Sequence, residues 1–255
     1  MQIGFECPSD ILEEIQPLGD FDFVLAHLIL KDEIYHDHYK KKSGHSTSRL
    51  LILDNSVNEL GNPCGIEEMV EAAIEVSPNF IVPPDFLGDM KSTLHSLDDF
   101  IKVVGNELPG VRLLPVLQGS TSNECVTCSM NYQQRGFKQV AVPYDIICTK
   151  DKSLQYMASK RVEVIWRISE GYDWIHLLGM TDPNEFSKYK GLSCKLTLDT
   201  GSPILHGLHG IHLSETAKLF DKTKCSLDRM DHHKNDLAMV KENIEYLKEL
   251  VGEIG

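Results

Sequence analysis

Long apolar runs are missing from this chain of 255 residues, and with them any segment able to cross a membrane as a helix. The amino terminus, "MQIGFECPSD", carries acidic residues and no long apolar stretch, so it resembles neither a signal peptide nor a membrane anchor. Low-complexity and disordered tracts are absent as well: 42% hydrophobic and 25% charged residues is the make-up of an ordinary globular protein. Seven cysteines, an odd number scattered without a repeating interval, speak for reduced thiols in a cytoplasmic setting. Positive charge is scarce, since 25 Lys plus Arg against 38 Asp plus Glu leave a formal net charge of −13. A surface of that sign repels polyanions at long range, so contact with nucleic acid requires a local basic patch.

What the sequence does contain is a recurrence of short apolar runs closed by polar residues or turns. There are eight: "QIGFEC" from Gln2, "DFVLAHL" from Asp22, "LLILD" from Leu50, "NFIVPPD" from Asn79, "VRLLPVLQG" from Val111, "QVAVPYD" from Gln139, "WIHLLGM" from Trp174 and "KLTLD" from Lys195. Between most of them lie segments of helical period, among them "GIEEMVEAAIEV" from Gly65, "SLDDFIKVVGNEL" from Ser96 and "KDKSLQYMASKRVEVIWRISE" from Lys150. Strands alternating with helices imply parallel pairing through right-handed crossovers. The length suits two ordinary domains or one barrel, and no domain boundary is evident. The expectation is therefore an α/β chain forming a single (β/α)8 TIM-type barrel over residues 1–255. An amphipathic helix, "NDLAMVKENIEYLKELVGEI", closes it.

In such a barrel the chemistry sits at the carboxyl ends of the strands. Those ends read Asp54, Asp85, Gln118-Gly119, Tyr144-Asp145, Gly179 and Asp199. Carboxylates after strands also occur for purely structural reasons, bonding nearby backbone amides in turns. Several on one rim are another matter, because like charges in a partly buried mouth push their pKa values apart. One then stays ionised as a nucleophile while another holds a proton. The segment "YHDHYKKKSGHSTSR", from Tyr35 to Arg49, reads as a loop on or beside the rim. There Lys40, Lys41, Lys42 and Arg49 could grip phosphates and two tyrosines could stack a base; the plain alternative is a solvated loop. His206, His209 and His212, spaced by three, could line a helix face, but the intervening glycines favour a loop, with polar contacts to a sugar-phosphate as its reading. Cys225, His232 and His233 are a weak candidate for zinc, since a surface histidine pair is the commoner reason for such residues. No cofactor is expected.

Taken together, "LLILDNS", "FIVPPD", "LLPVLQGS", "GFKQVAVPYD", "IHLLGM" and "KLTLDTGSP" resemble, in order and spacing, the motifs of the tRNA-guanine transglycosylase superfamily, over about residues 22–205. The resemblance implies exchange of a purine base on a sugar by double displacement. Asp199 would be the nucleophile and Asp54 the general acid and base. Asp85 would accept from the N1–H and 2-amino groups of the base, the Gln118 amide and Gly119 backbone would meet its carbonyl oxygen, and Tyr144, Leu178 and Gly179 would complete the base pocket. The chain also departs from the tRNA enzymes. Asn55-Ser56-Val57-Asn58 replaces a glycine-rich turn, Pro143-Tyr144 stands where two glycines are usual, and the family's three-cysteine zinc site has no match. The short carboxyl end is more similar to superfamily members that place a 7-deazaguanine such as preQ0 in DNA. The expected partners are therefore DNA and the free base, with no membrane. The alternatives are tRNA as acceptor, a non-catalytic accessory subunit, or a metal-dependent barrel hydrolase.

Overall fold

Each of the eight apolar runs forms a strand: β1 (Gln2–Phe5), β2 (Asp22–Leu25), β3 (Leu51–Asp54), β4 (Phe80–Ile81), β5 (Arg112–Leu113), β6 (Gln139–Pro143), β7 (Trp174–Leu178) and β8 (Lys195–Thr200). The computed structural model describes residues 1–43, 49–147, 154–180, 182–215 and 237–252. Continuous apolar stretches such as "DFVL" and "LILD" are buried at every position, as parallel strands covered on both faces must be. The fold is mixed α/β with parallel sheets. One sheet has the order β1-β8-β7-β6 and the other β2-β3-β4-β5. Isolated parallel bridges, Gly4 to Phe21 and Val116 to Ala141, join residues at or beside the edge strands of the two sheets.

The helices are α1 (Leu12–Ile15), α2 (Ala26–Lys31), α3 (Glu33–Ser43), α4 (Val57–Leu60), α5 (Ile66–Val76), α6 (Met90–Glu107), α7 (Ser122–Gln134), α8 (Leu154–Ile168), α9 (Ser202–Leu208) and α10 (Leu237–Gly252). Their apolar stripes face the sheets. In α5, Met69, Val70, Ala72, Ala73 and Val76 are buried while Glu67, Glu68 and Glu71 stay in solvent. The periodicity places the start of α6 at Ser96, yet the helix begins at Met90, because the Asp89 carboxylate accepts from the Ser92 backbone N–H and caps it there. One apolar cluster runs from Ile3 in β1 to Val251 in α10. Among the described residues, no helix is long and apolar enough to cross a membrane.

The stretch Glu33–Ser43 is helix α3, not a loop. Tyr35 and Tyr39 are the reason: both rings are buried, 4.9 Å apart, and Tyr35 Oη accepts from the Leu25 N–H, so neither is available to stack a base. Likewise His206 belongs to α9, where Nδ1 meets the Ser202 carbonyl at 2.7 Å, while His212 lies beyond the helix beside Ser214.

Candidate active site

Parallel pairing puts the carboxyl ends of all the strands on one side, and there a pocket opens whose free space, mouth included, is about 510 Å³. Every strand lends it a residue: Glu6 follows β1, Leu25 ends β2, Asp54 ends β3, and Asp85 and Gln118 follow β4 and β5. Pro143, Tyr144 and Asp145 come from β6, Leu178 and Gly179 from β7, and Asp199 from β8. The lining thus carries six carboxyl groups, counting Glu59 of α4, and no Lys or Arg among the described residues.

Asp54 is 8% exposed, and one of its oxygens accepts from the Ser56 N–H at 2.7 Å. Burial raises its pKa well above the ordinary carboxylate range, and the charges of Glu59, Asp199 and Asp85 push the same way. A carboxyl group so placed holds its proton. The turn that carries it is strained, for Ser56 adopts φ of 62°, which a non-glycine residue seldom does. Asn55 pins that turn: its side-chain amide donates to the Pro83 carbonyl at 2.8 Å and to Asp85 at 2.6 Å, and its oxygen accepts from the Val57 N–H.

Asp85 receives a second amide, from Gln118 Nε2 at 2.6 Å, and Gln118 Oε1 in turn accepts from the Gly88 N–H at 2.8 Å. Burial lifts Asp85 to about 6, against these two donors. With both oxygens held and each keeping a further lone pair, Asp85 is an acceptor of fixed orientation, suited to paired N–H donors. Gly119 does not line the pocket. A Cβ there would come within 2.9 Å of the Cys125 backbone nitrogen, so glycine serves the close approach of the loop before α7 to the first turn of that helix.

Asp199 is held differently. Both its oxygens lie 3.3 Å from the Gly179 N–H, and its Oδ1 lies 3.1 Å from His176 Nε2. Gly179 turns its N–H inward at φ of 67°, a left-handed conformation that favours glycine. That turn is braced from behind by Arg161, fully buried on α8, whose Nη1 donates to the carbonyls of Leu178 and Gly179 at 3.2 and 2.8 Å. Glu185 balances the guanidinium through its carboxylate, which bonds Nε at 3.3 Å and also pairs with Nη2. Across the mouth, the Tyr144 hydroxyl donates to Asn58 Oδ1 at 3.3 Å and ties the β6 side to the β3 side.

Of the residues expected at the site, Asp54, Asp85, Gln118, Tyr144, Leu178, Gly179 and Asp199 meet in this pocket. The basic candidates do not. Arg49 stands at the amino end of β3, the end remote from Asp54, bonded to Asp22 at 2.9 Å and to the Gln16 and Phe21 carbonyls. Lys40, on α3, pairs with Glu75 of α5 at 2.6 Å. Lys41 and Lys42 continue the helix, their side chains outside the described residues, as are Cys225, His232 and His233. The expectation that this basic segment borders the rim is corrected by chain polarity: a segment entering a strand at its amino end belongs to the opposite face. Among the described residues, no group of His, Cys, Asp and Glu has the arrangement of a metal site. Sequence reasoning missed Asn55, Arg161 and the Glu6 carboxyl; Asn55, directly after a strand-end Asp, and Glu6, at the end of the first apolar run, carried a visible signal, and Arg161 did not. No protein-family model and no curated protein matches the chain.

Proposed function

We propose that this chain is a base-exchange transglycosylase that replaces guanine in DNA with a 7-deazaguanine base of the preQ0 type through a covalent Asp199–sugar intermediate. The observation that carries the reading is the meeting of Asp54, Asp85, Gln118 and Asp199 in one pocket at the carboxyl ends of parallel strands. Breaking a base–sugar bond passes through an oxocarbenium-like transition state, and exchange with retention takes two displacements. Asp199, held by a backbone N–H, attacks the anomeric carbon. Asp54, whose environment keeps its proton, gives that proton to the departing base and takes one from the incoming base. Asp85 reads the N1–H and 2-amino edge of a guanine, which adenine cannot offer.

The architecture proposed with this function is a closed eight-stranded barrel. The bridges at Gly4–Phe21 and Val116–Ala141 support it, because they fall at the two seams between the sheets and make the strand neighbours sequential all the way round. A base inside a duplex cannot reach such a pocket, so the substrate nucleotide must be flipped out or single-stranded. DNA is proposed as acceptor on the departures from the tRNA enzymes at Asn55–Asn58 and Pro143-Tyr144, with tRNA as the second reading. Phosphate contacts must come from outside the carboxylate-rich lining.

The deciding experiment offers labelled preQ0 with DNA and with tRNA in parallel, using the wild-type chain and Asp199→Asn. Label is expected in DNA with wild type only, together with a denaturation-resistant protein–DNA adduct. Label in tRNA alone replaces the acceptor. Appreciable exchange by well-folded Asp199→Asn eliminates the double-displacement scheme.

A further inference from the structure

Beneath Asp199 lies a chain of polar groups that the proposed chemistry does not use. In the β7–β8 register Trp174 stands opposite Lys195, His176 opposite Thr197 and Leu178 opposite Asp199. Alternation puts Trp174 and His176 on one face of the sheet with Thr197 and Asp199. The Trp174 indole N–H donates to Thr197 Oγ1 at 2.7 Å, and Thr197 Oγ1 lies 2.7 Å from His176 Nδ1. His176 Nε2 then lies 3.1 Å from Asp199 Oδ1, close enough for an electrostatic contact but outside hydrogen-bond geometry, and has no hydrogen-bond partner among the described residues. His176 and Thr197 are both fully buried.

The hydrogen count along this chain has one solution. Indole N–H is a donor only, so Thr197 Oγ1 accepts from it. The hydroxyl then has one hydrogen of its own to place, away from water, and the one acceptor it meets among the described residues is His176 Nδ1. Nδ1 must therefore carry the lone pair. A neutral ring has its proton on Nε2, the nitrogen that faces Asp199.

We infer that His176 is a positioning residue for Asp199: a neutral imidazole whose Nε2–H, directed by the Thr197 hydroxyl, supports the carboxylate in its ionised, attacking form. Packing holds the ring in that pose. Phe23 stacks on it at 5.6 Å, and Phe21 meets it edge-on at 5.8 Å. The charged groups that act on it are Asp199 from β8, Arg161 from α8 and Glu6 at the end of β1. Burial, with the Arg161 charge behind it, moves the imidazole down to about 3 and favours the neutral ring, while negative charge on Glu6 and on an ionised Asp199 pulls the other way. A cation here would pair with Asp199 and blunt it. A neutral donor orients the carboxylate and leaves it nucleophilic, in the way that a ring nitrogen fixed by a hydroxyl or carboxylate sets its other nitrogen elsewhere.

The effect on rate rests on the transglycosylase reading; the state of the ring does not. Nitrogen NMR of the full chain labelled at histidine, with the signal identified by its loss in His176→Gln, should give a neutral Nε2–H ring from about pH 5 to 8. A ring protonated at Nδ1, or an imidazolium, overturns the inference whatever the enzyme does. Carbon NMR of labelled aspartate supplies the second readout: Asp199 in His176→Phe should titrate about tenfold less readily than in wild type, and in His176→Gln, which retains an N–H donor, less than half as far from it. An unmoved Asp199 overturns the positioning role. In base exchange, His176→Phe should lose about tenfold in kcat at nearly unchanged KM for the free base, with partial rescue by His176→Gln; full activity in His176→Phe overturns the role as well. Should wild type exchange no base while both NMR results hold, the transglycosylase reading fails and the assignment of His176 stands. An unfolding midpoint of His176→Phe in urea close to that of His176→Gln excludes a folding defect as the cause.

Discussion

The two sides of the pocket give a buried carboxyl group different partners. On the β3–β5 side, Asp54 and Asp85 are held mostly by one another's neighbours: Asn55 spans from the Asp54 turn to Asp85, and Gln118 closes the cluster from β5. Burial is not offset there, and both groups rise, Asp85 to about 6 and Asp54 well above its ordinary range. On the β7–β8 side a backbone N–H and an imidazole face Asp199, and an arginine stands one step behind. Depth raises the carboxyl groups of the first side even where amides donate to them, while the second side sets a backbone N–H against its carboxyl group and an arginine behind it. Depth and partners together make the two carboxyl environments differ.

The sharpest test of this contrast replaces the carboxyl group on each side in turn. Asp199→Asn should lower base exchange by about 10⁴-fold or more, the scale on which loss of a covalent nucleophile is felt. Asp54→Asn should cost about 10²–10⁴-fold, the range of a general acid and base. If the order reverses in steady-state assays with the free base saturating, the two sides have been assigned the wrong way round.

Next in size is the brace. Arg161→Met leaves Glu185 buried without its partner and should destabilise the fold by about 3–5 kcal/mol in urea unfolding. Arg161→Met with Glu185→Leu should recover much of that stability but not the exchange rate, because the Gly179 turn remains unbraced. Recovery of both would make Arg161 a packing residue only.

These expectations also mark what could be read from the chain alone. All eight strands stand where the apolar runs place them, since a buried parallel strand writes itself as a continuous apolar stretch. Asp54, Asp85, Gln118 and Asp199 were legible for a related reason: once the strands are located, the residue after each is at the rim. Arg161 was not, because its partner Glu185 lies 24 residues on in the chain and its targets are carbonyls, which have no letter in a sequence. His176 was visible as a strand residue, but its place beneath Asp199 depends on the β7–β8 register. The lysine segment was misplaced for want of one available rule, that helix-to-strand connections lie on the face away from the site.

A smaller effect concerns pH. Asp85 in the fold moves from an ordinary 3.8 to about 6, so the folded state holds its proton over a window in which the unfolded chain has lost it. Stability is then full below about pH 4 and falls as pH rises through about 6, by about 3 kcal/mol at about 1.36 kcal/mol for each tenfold change in ionisation. Asp54 adds to the same slope. Urea unfolding across that window should show the decline in wild type and a shallower one in Asp85→Asn; equal slopes would mean the β3–β5 side does not store a proton at Asp85.

The least effect is expected far from both sides. Lys40→Ala breaks a pair that is 55% exposed at the lysine, and should change stability by no more than about 0.5 kcal/mol and base exchange not at all. A marked fall in exchange would return α3 to the functional surface.

The pairing of β1 with β8 has a further consequence, for the order in which the molecule comes into being. Gln2 to Phe5 lie against Thr197 to Thr200, so β1 must wait, edge open, for nearly 200 residues to follow it. Contacts of such long range form late and slowly. The half of the chain that holds Asp54 and Asp85 can pair its strands while translation continues, but Asp199 enters the sheet only when β8 arrives between β1 and β7. A ribosome-bound fragment ending before Lys195 therefore carries the Asp54 and Asp85 half of the pocket without Asp199.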